Sequence, residues 1–89
     1  MPLFLIERQF AERLDMDADG MAGLQQINAE VGVHWLYSFL SADQRKTYCL
    51  YEAGSPDKIL EAARRAGLPA DVIVEVSQVR PEAVRPPAG

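Results

Sequence analysis

The sequence predicts an α+β domain whose elements run strand, helix, strand, strand, helix, strand. Two segments carry apolar residues at helical spacing, and a glycine follows each of them. Four other segments are rich in β-branched, aromatic or alternating apolar residues, which is the pattern of β-strands. The chain of 89 residues is 48% hydrophobic, which suits one globular domain with a single core.

The first half of the chain predicts a strand followed by a helix. Residues 3–10 are almost continuously apolar before polar residues begin to alternate, so we expect a strand buried for much of its length. Over about residues 18–31 the apolar positions recur at helical spacing, and Asp17 or Asp19 caps the start of this helix. Gly32 stands at the left-handed position that ends many helices.

The second half predicts a hairpin, a helix and a last strand. Residues 33–40 and 46–53 have strand composition, and the short polar segment between them suits a hairpin connection. A helix is predicted to begin after Ser55 as a hydroxyl N-cap with proline at the first helical position, and to end at Gly67. Residues 71–79 alternate around valines, which predicts the fourth strand.

This element order is the split β-α-β arrangement of the ferredoxin-like fold. Right-handed crossovers place both helices on one face of a four-stranded antiparallel sheet, with the first strand between the third and the fourth. We therefore expect one ferredoxin-like domain over residues 1–79. Residues 80–89 contain three prolines and end in glycine, so they are predicted to form a flexible tail.

The second strand is predicted to carry a row of aromatic rings on one face. Strict alternation places Trp35, Tyr37 and Phe39 on one side and His34 on the other. Because the helices cover only one face of the sheet and both faces are apolar, the uncovered face is predicted to be the interface of a homodimer. The alternative is that the loop before the first helix, or the proline-rich tail, folds over this face.

Acidic residues within the apolar strands form the predicted ligand site. Their carboxylates are expected to converge with aromatic rings into a pocket between the sheet and its partner, where clustered carboxylates raise one another's pKa or hold a cation. The alternative is that each acid is solvated or pairs with a basic side chain such as Lys46. The predicted ligand-binding residues are Glu7, Trp35, Tyr37, Tyr48, Glu52 and Glu75.

Charge and cysteine content exclude several classes of protein. The net charge of −4 argues against nucleic acid as a partner, since that function needs a basic face. No apolar run approaches the roughly 20 residues that span a bilayer, so no membrane partner is expected. The single cysteine has no partner for an internal disulfide and no second cysteine for zinc, and we expect a cytoplasmic protein.

Three segments resemble a small bacterial family that is known mainly as a domain of unknown function and is related to a nickel-binding protein of actinobacteria. The segments are Gly32 to Trp35, Lys46 to Ala53 and Arg65 to Asp71, and the resemblance runs from Pro2 to about Val76. It implies a ferredoxin-like fold, a dimeric assembly and nickel as a cofactor.

This chain departs from the resemblance at two positions that bear on nickel. Where the nickel-binding relative typically has histidine, this sequence has Arg8 and Leu68. His34 is the single histidine, and it is therefore the predicted metal ligand, with strand carboxylates beside it.

Three functions follow from these predictions. The favoured one is a non-enzymatic dimer that holds a metal ion such as nickel, or a small molecule, at the sheet face or the dimer interface. A cofactor-independent enzyme of the monooxygenase or isomerase type is the alternative, because dimeric ferredoxin-like barrels host such enzymes. Some of those oxygenases use an Asn-Trp-His set, and Asn28, Trp35 and His34 are present here, but Trp35 and His34 are predicted to point to opposite faces. A structural or regulatory interaction module is the third candidate, and no catalytic residue is predicted.

Overall fold

Four strands form one antiparallel sheet in the order β2-β3-β1-β4 in a computed structural model that describes residues 1–83. The predicted element order and the ferredoxin-like strand order are both confirmed, and β1 lies between β3 and β4 as expected. The elements are β1 (Leu3–Gln9), α1 (Ala18–Val31), β2 (His34–Leu40), β3 (Lys46–Glu52), α2 (Pro56–Ala66), β4 (Val72–Val76) and a 3-10 turn (Pro81–Ala83).

The two helices begin and end where their local sequence predicts. The Asp17 carboxylate caps α1 by accepting a hydrogen bond from the Gly20 amide at 2.8 Å. Gly32 and Gly67 end α1 and α2 with φ angles of 86° and 68°, in the left-handed region that favours glycine. One detail differs: Ser55 is the N-cap residue of α2, but its hydroxyl makes no capping hydrogen bond.

The hydrophobic core lies between the helices and one face of the sheet. In β1 the buried side chains alternate, and Phe4 and Ile6 are 2% and 0% exposed. Tyr51 of β3 and Ile59 of α2 pack into the same cluster. Burial of each large apolar side chain contributes roughly 1.5–3 kcal/mol, so this layer supplies much of the stability. We call this side of the sheet the helix side.

A bulge in β2 overturns the prediction that its aromatic residues share one face. Trp35 lies opposite Tyr51, but Tyr37 lies opposite Leu50, so Leu36 is an extra residue in β2. A bulge of this kind shifts the alternation by one residue. Trp35 consequently lies on the helix side, whereas Tyr37 and Phe39 lie on the other face.

The sheet face away from the helices is apolar and exposed, and we call it the open face. Tyr37 and Phe39 are 50% and 66% exposed there, and Val72 and Val74 of β4 are also exposed. The sequence left open that the loop before α1 folds over this face. That alternative is wrong, because Leu14 of the loop borders a cavity on the helix side.

The predicted flexible tail lies mostly outside the described residues. Within its described part, Pro81–Ala83 forms one 3-10 turn. The other alternative cover for the open face, the proline-rich end of the chain at residues 84–89, lies outside residues 1–83. No helix of residues 1–83 is long and apolar enough to cross a membrane.

Candidate functional site

A cavity of about 170 Å³ lies on the helix side, and we call it the helix-side pocket. Its floor is the sheet, where Arg8, Trp35 and Tyr51 face α1. Its outer wall comes from the loop before α1 and from the first turns of α1. The apolar residues of that wall are Leu14, Met16, Met21 and Leu24. The pocket forms because the start of α1 packs loosely: among the residues of α1, only Asn28 is fully buried.

Most polar side chains on the pocket floor form hydrogen bonds with one another, so few of their donors and acceptors are free to bind a ligand. The Trp35 indole N–H donates to the Ser38 hydroxyl at 2.7 Å, within the strand that carries both. The Cys49 thiol lies 3.6 Å from the Thr47 hydroxyl. The Trp35 and Tyr51 rings are stacked with their centroids 6.3 Å apart, which makes this part of the floor aromatic.

Arg8 is the exception, because within residues 1–83 its buried charge has no anionic partner. The side chain follows Phe4 and Ile6 on the helix side of β1 and is 4% exposed. Its Nη1 donates to the Pro69 carbonyl oxygen at 2.6 Å, and its Cζ lies 5.9 Å from the centroid of the Tyr51 ring. No carboxylate of residues 1–83 lies within 4.0 Å of the guanidinium nitrogens.

Asn28 and Tyr51 complete a buried polar group around Arg8. Asn28 is 5% exposed, and its Nδ2 has no hydrogen-bond partner in the described part of the chain. Asn28, Arg8 and Tyr51 line a narrow recess next to the helix-side pocket. Burial raises the pKa of the Tyr51 phenol, and the positive charge of Arg8 and the nearby Asn28 side chain oppose that rise in part.

The predicted convergence of three carboxylates is wrong within one chain. Glu7 lies opposite Tyr48 on the open face, whereas Glu52 lies opposite Leu3, at the other end of β1. Four residues along a strand separate these acids by about 13 Å. Glu75 lies opposite Phe4, so the pleat places it on the helix side.

The other predicted site residues are divided between the two faces. Tyr37 and Tyr48 lie on the open face with Glu7, and the Glu7 carboxylate is 3.8 Å from Lys46 Nζ, which is the ion pair named as the alternative. Trp35 lies in the helix-side pocket. The role of these residues in binding a ligand stays a prediction.

Comparison with known proteins identifies the family. The family described as nickel responsive protein SCO4226-like matches residues 4–76. The chain belongs to the SCO4226-like family. This confirms the resemblance found in the sequence, and no curated protein matches the chain.

A solved structure supports the fold of this SCO4226-like chain. The crystal structure of SCO4226 from Streptomyces coelicolor A3(2) has a TM-score of 0.67 and is 22% identical in sequence. The match covers 88% of this chain and 99% of that one. At this identity the likeness shows the fold.

Within a single copy of this SCO4226-like chain, residues 1–83 do not form a nickel site. His34 is exposed on the open face opposite Glu52, and residues 1–83 contain no group of three His, Cys, Asp or Glu side chains placed to hold a metal. Arg8 and Leu68, the two positions at which the resemblance implies histidine, both border the helix-side pocket and supply no imidazole there. A buried guanidinium also repels a cation.

Reasoning from the sequence missed the helix-side pocket and its polar residues. One signal was present: Arg8 continues the alternation of Phe4 and Ile6 and therefore points toward the helices. A charged residue at such an inward position indicates either an ion pair or a ligand site. Asn28 gave no comparable signal, because polar residues are common on the exposed part of an amphipathic helix.

Proposed function

We propose that this chain is a non-enzymatic binding protein that holds a small apolar molecule in the helix-side pocket. The observation that carries the proposal is the cavity itself, about 170 Å³ of space next to stacked aromatic rings in a domain of 9.9 kDa. An engineered apolar cavity of about 150 Å³ is known to hold a benzene molecule, so this volume suits a ligand with one ring. A largely apolar pocket with few convergent polar groups is the usual form of a small-molecule site.

The enzymatic alternative has less support. The Asn-Trp-His set is divided by the sheet, since Asn28 and Trp35 lie on the helix side and His34 lies on the open face. Among residues 1–83, no carboxylate or imidazole borders the helix-side pocket as a general base. Binding without chemistry therefore describes the pocket better.

A neutral probe tests whether the pocket holds a ligand. Toluene should change the emission of Trp35, the single tryptophan of the chain, and the change should saturate with concentration. Leu24→Phe fills space in the pocket wall and should weaken toluene binding several-fold. Leu60→Phe is the matched control, because Leu60 is 48% exposed on α2 and does not line the pocket. Unchanged Trp35 emission in the folded wild-type protein would exclude the proposed pocket function.

We also propose that the protein is a homodimer packed through its open face. Support comes from exposed apolar residues on two different strands, Tyr37 and Phe39 of β2 and Val72 and Val74 of β4. Soluble monomers seldom expose an apolar patch that spans a sheet, and a second copy needs to bury only about 800 Å² per chain for a stable interface.

Light scattering tests the dimer directly. The wild-type protein should have the mass of two chains at micromolar concentration, and Phe39→Lys should convert it to a folded monomer by placing a charge in the interface. Leu60→Lys introduces the same charge at an exposed position on α2 and should leave the dimer intact. A monomeric wild-type protein would contradict the proposed interface.

Nickel is the second candidate ligand, and we propose it only at a site shared by two copies. The family description names a nickel-responsive protein, and His34 and Glu52 are neighbours across β2 and β3 on the proposed dimer face. Calorimetric titration of the untagged protein with nickel should then give a signal that His34→Ala abolishes. Loss of the signal in the monomeric Phe39→Lys variant would show that both copies contribute ligands.

The proposed location of the protein is the cytoplasm. Cys49, the single cysteine of the chain, is a buried free thiol, and unpaired thiols are typical of reducing compartments.

A further inference from the structure

We propose that the ligand of the helix-side pocket is a small apolar monocarboxylate whose carboxylate binds Arg8 and Asn28. This inference rests on the proposed function, because it requires that the pocket holds a ligand. It adds the chemical class of that ligand and the two side chains that select it.

The buried charge of Arg8 is the first support. A guanidinium carries five N–H donors, and the Pro69 carbonyl is the acceptor that this one uses within residues 1–83. The side chain is 4% exposed, so water solvates it poorly. A buried cation without an anion is unfavourable, and a bidentate carboxylate satisfies both its charge and its planar geometry.

The unpaired amide of Asn28 is the second and independent support. Among residues 1–83 its Nδ2 is buried without a hydrogen-bond partner, and Asn28 lines the same recess as Arg8. This recess and the helix-side pocket share Arg8, Leu24, Tyr51 and Leu68 as lining residues, so the two spaces are neighbours. The recess has about 10 Å³ of space, enough for one oxygen atom but not for a whole carboxylate. A carboxylate in the helix-side pocket that pairs with Arg8 through both oxygens would place one of them in the recess, where it would also accept a hydrogen bond from Asn28 Nδ2.

The rest of the pocket defines the body of the ligand. Trp35 and Tyr51 make the floor of the pocket aromatic, and the volume of about 170 Å³ admits one ring or a short branched chain. Among residues 1–83 the lining of the pocket includes no Asp or Glu, so an ammonium group on the ligand would find no anionic partner there. We therefore expect the pocket to favour an apolar acid over a free amino acid of the same size.

Phenylacetate, phenylacetamide and phenylalanine serve as matched probes. The amide has nearly the shape of the acid without its charge, and phenylalanine adds an ammonium group. Titration followed by Trp35 emission, excited where the probes do not absorb, should show phenylacetate binding at least about tenfold more tightly than either analogue. This comparison uses only the wild-type protein, so the result does not depend on whether any variant folds.

Variants at Arg8, Asn28 and Lys46 identify the side chain that binds the carboxylate. Arg8→Gln should remove the preference for phenylacetate over phenylacetamide, and Arg8→Lys should weaken it by losing the bidentate geometry. Asn28→Leu should reduce the preference less. Lys46→Gln removes a cation from the open face of the same sheet and should leave the preference unchanged. Circular dichroism shows whether each variant is folded.

The outcomes separate this inference from the proposed function. If toluene binds but phenylacetate and phenylacetamide bind equally, the pocket holds ligands without selecting carboxylates, and this inference is wrong. If none of the probes binds to the folded wild-type protein, the proposed function fails as well. If the preference survives in a folded Arg8→Gln variant, Arg8 is a structural residue that holds the Pro69 carbonyl.

Discussion

Glu7 and Arg8 are consecutive residues of β1 that lie in opposite environments. Glu7 is on the open face with its side chain 34% exposed, whereas Arg8 is almost completely buried on the helix side. The pleat of the strand causes this difference, since successive side chains point to opposite faces. Two adjacent charged residues therefore have different roles: Glu7 forms a surface ion pair, and Arg8 lines a buried pocket.

Replacing Glu7 by Gln should have a small effect on the stability of the single chain. The Glu7 carboxylate and Lys46 Nζ are 3.8 Å apart and both side chains are partly exposed, and such ion pairs contribute about 0–1 kcal/mol. Urea denaturation of Glu7→Gln should show a loss within that range. Ile6→Ala is the control on the buried face and should cost about 2–5 kcal/mol. A loss above about 2 kcal/mol for Glu7→Gln would show that its carboxylate is buried in the assembled protein.

The helices and the hairpin depend on short local signals. Asp17 and Gly32 bound α1, and Pro56 and Gly67 bound α2, so each helix is defined by residues at its own ends. The hairpin between β2 and β3 has its own local device. The Asp43 carboxylate accepts hydrogen bonds from the Ser41 hydroxyl at 2.6 Å and the Arg45 amide at 3.0 Å.

Two glycine-to-alanine substitutions should change stability in opposite directions. Gly67→Ala places a side chain at a φ of 68° and should cost about 1–2 kcal/mol, although nothing lies within 4 Å of the added methyl group. Gly23→Ala is in the interior of α1 with open space around it, and it should stabilise the protein by about 0.5–1 kcal/mol. Thermal or urea denaturation measures both changes, and equal effects of the two variants would contradict this account.

Acid should weaken the hairpin through Asp43. The hydrogen bond from Ser41, and then that from Arg45, lower the pKa of Asp43 below its ordinary value of 3.8. A carboxyl group with a lowered pKa stabilises the fold above pH 3.8, and this contribution is lost as the pH falls through the folded pKa. NMR titration should give a pKa below 3.8 for Asp43, and Ser41→Ala should move it upward. An unchanged pKa in Ser41→Ala would show that the serine hydroxyl is not the main cause.

At the scale of the whole molecule, the sheet has two apolar faces and the described helices cover one. The covered face contains the core and the helix-side pocket, and the open face carries the exposed aromatic rings of β2. A ligand site and an interface on opposite faces of one sheet can be changed independently. Substitutions on the open face should therefore alter assembly while leaving the pocket intact.

The thermal stability of the protein should depend on its concentration if folding and dimerisation are coupled. Mass action stabilises an associated folded state, so the midpoint of thermal unfolding should rise as the protein concentration is increased. Phe39→Lys should remove this dependence, and Leu60→Lys should retain it. A midpoint that is independent of concentration in the wild-type protein, measured by calorimetry, would contradict a dimer coupled to folding.

The bounds of the helices, the order of the elements and the central position of β1 follow from the sequence. Capping residues, left-handed glycines and apolar periodicity act over a few neighbouring residues, so they are visible in the chain itself. The inward direction of Arg8 was also encoded in its phase with Phe4 and Ile6. The resemblance to a family related to a nickel-binding protein was visible in three short segments, and the match over residues 4–76 then established membership of the SCO4226-like family.

The tertiary structure decided which side chains meet. The bulge at Leu36 reversed the face of Trp35 relative to Tyr37, and a bulge depends on pairing with β3, which alternation within one strand does not reveal. The separation of Glu7 from Glu52 follows from the register between β1 and β3. The helix-side pocket and the unpaired Asn28 amide depend on how loosely α1 packs on the sheet, and packing between distant segments is not a local property of the sequence.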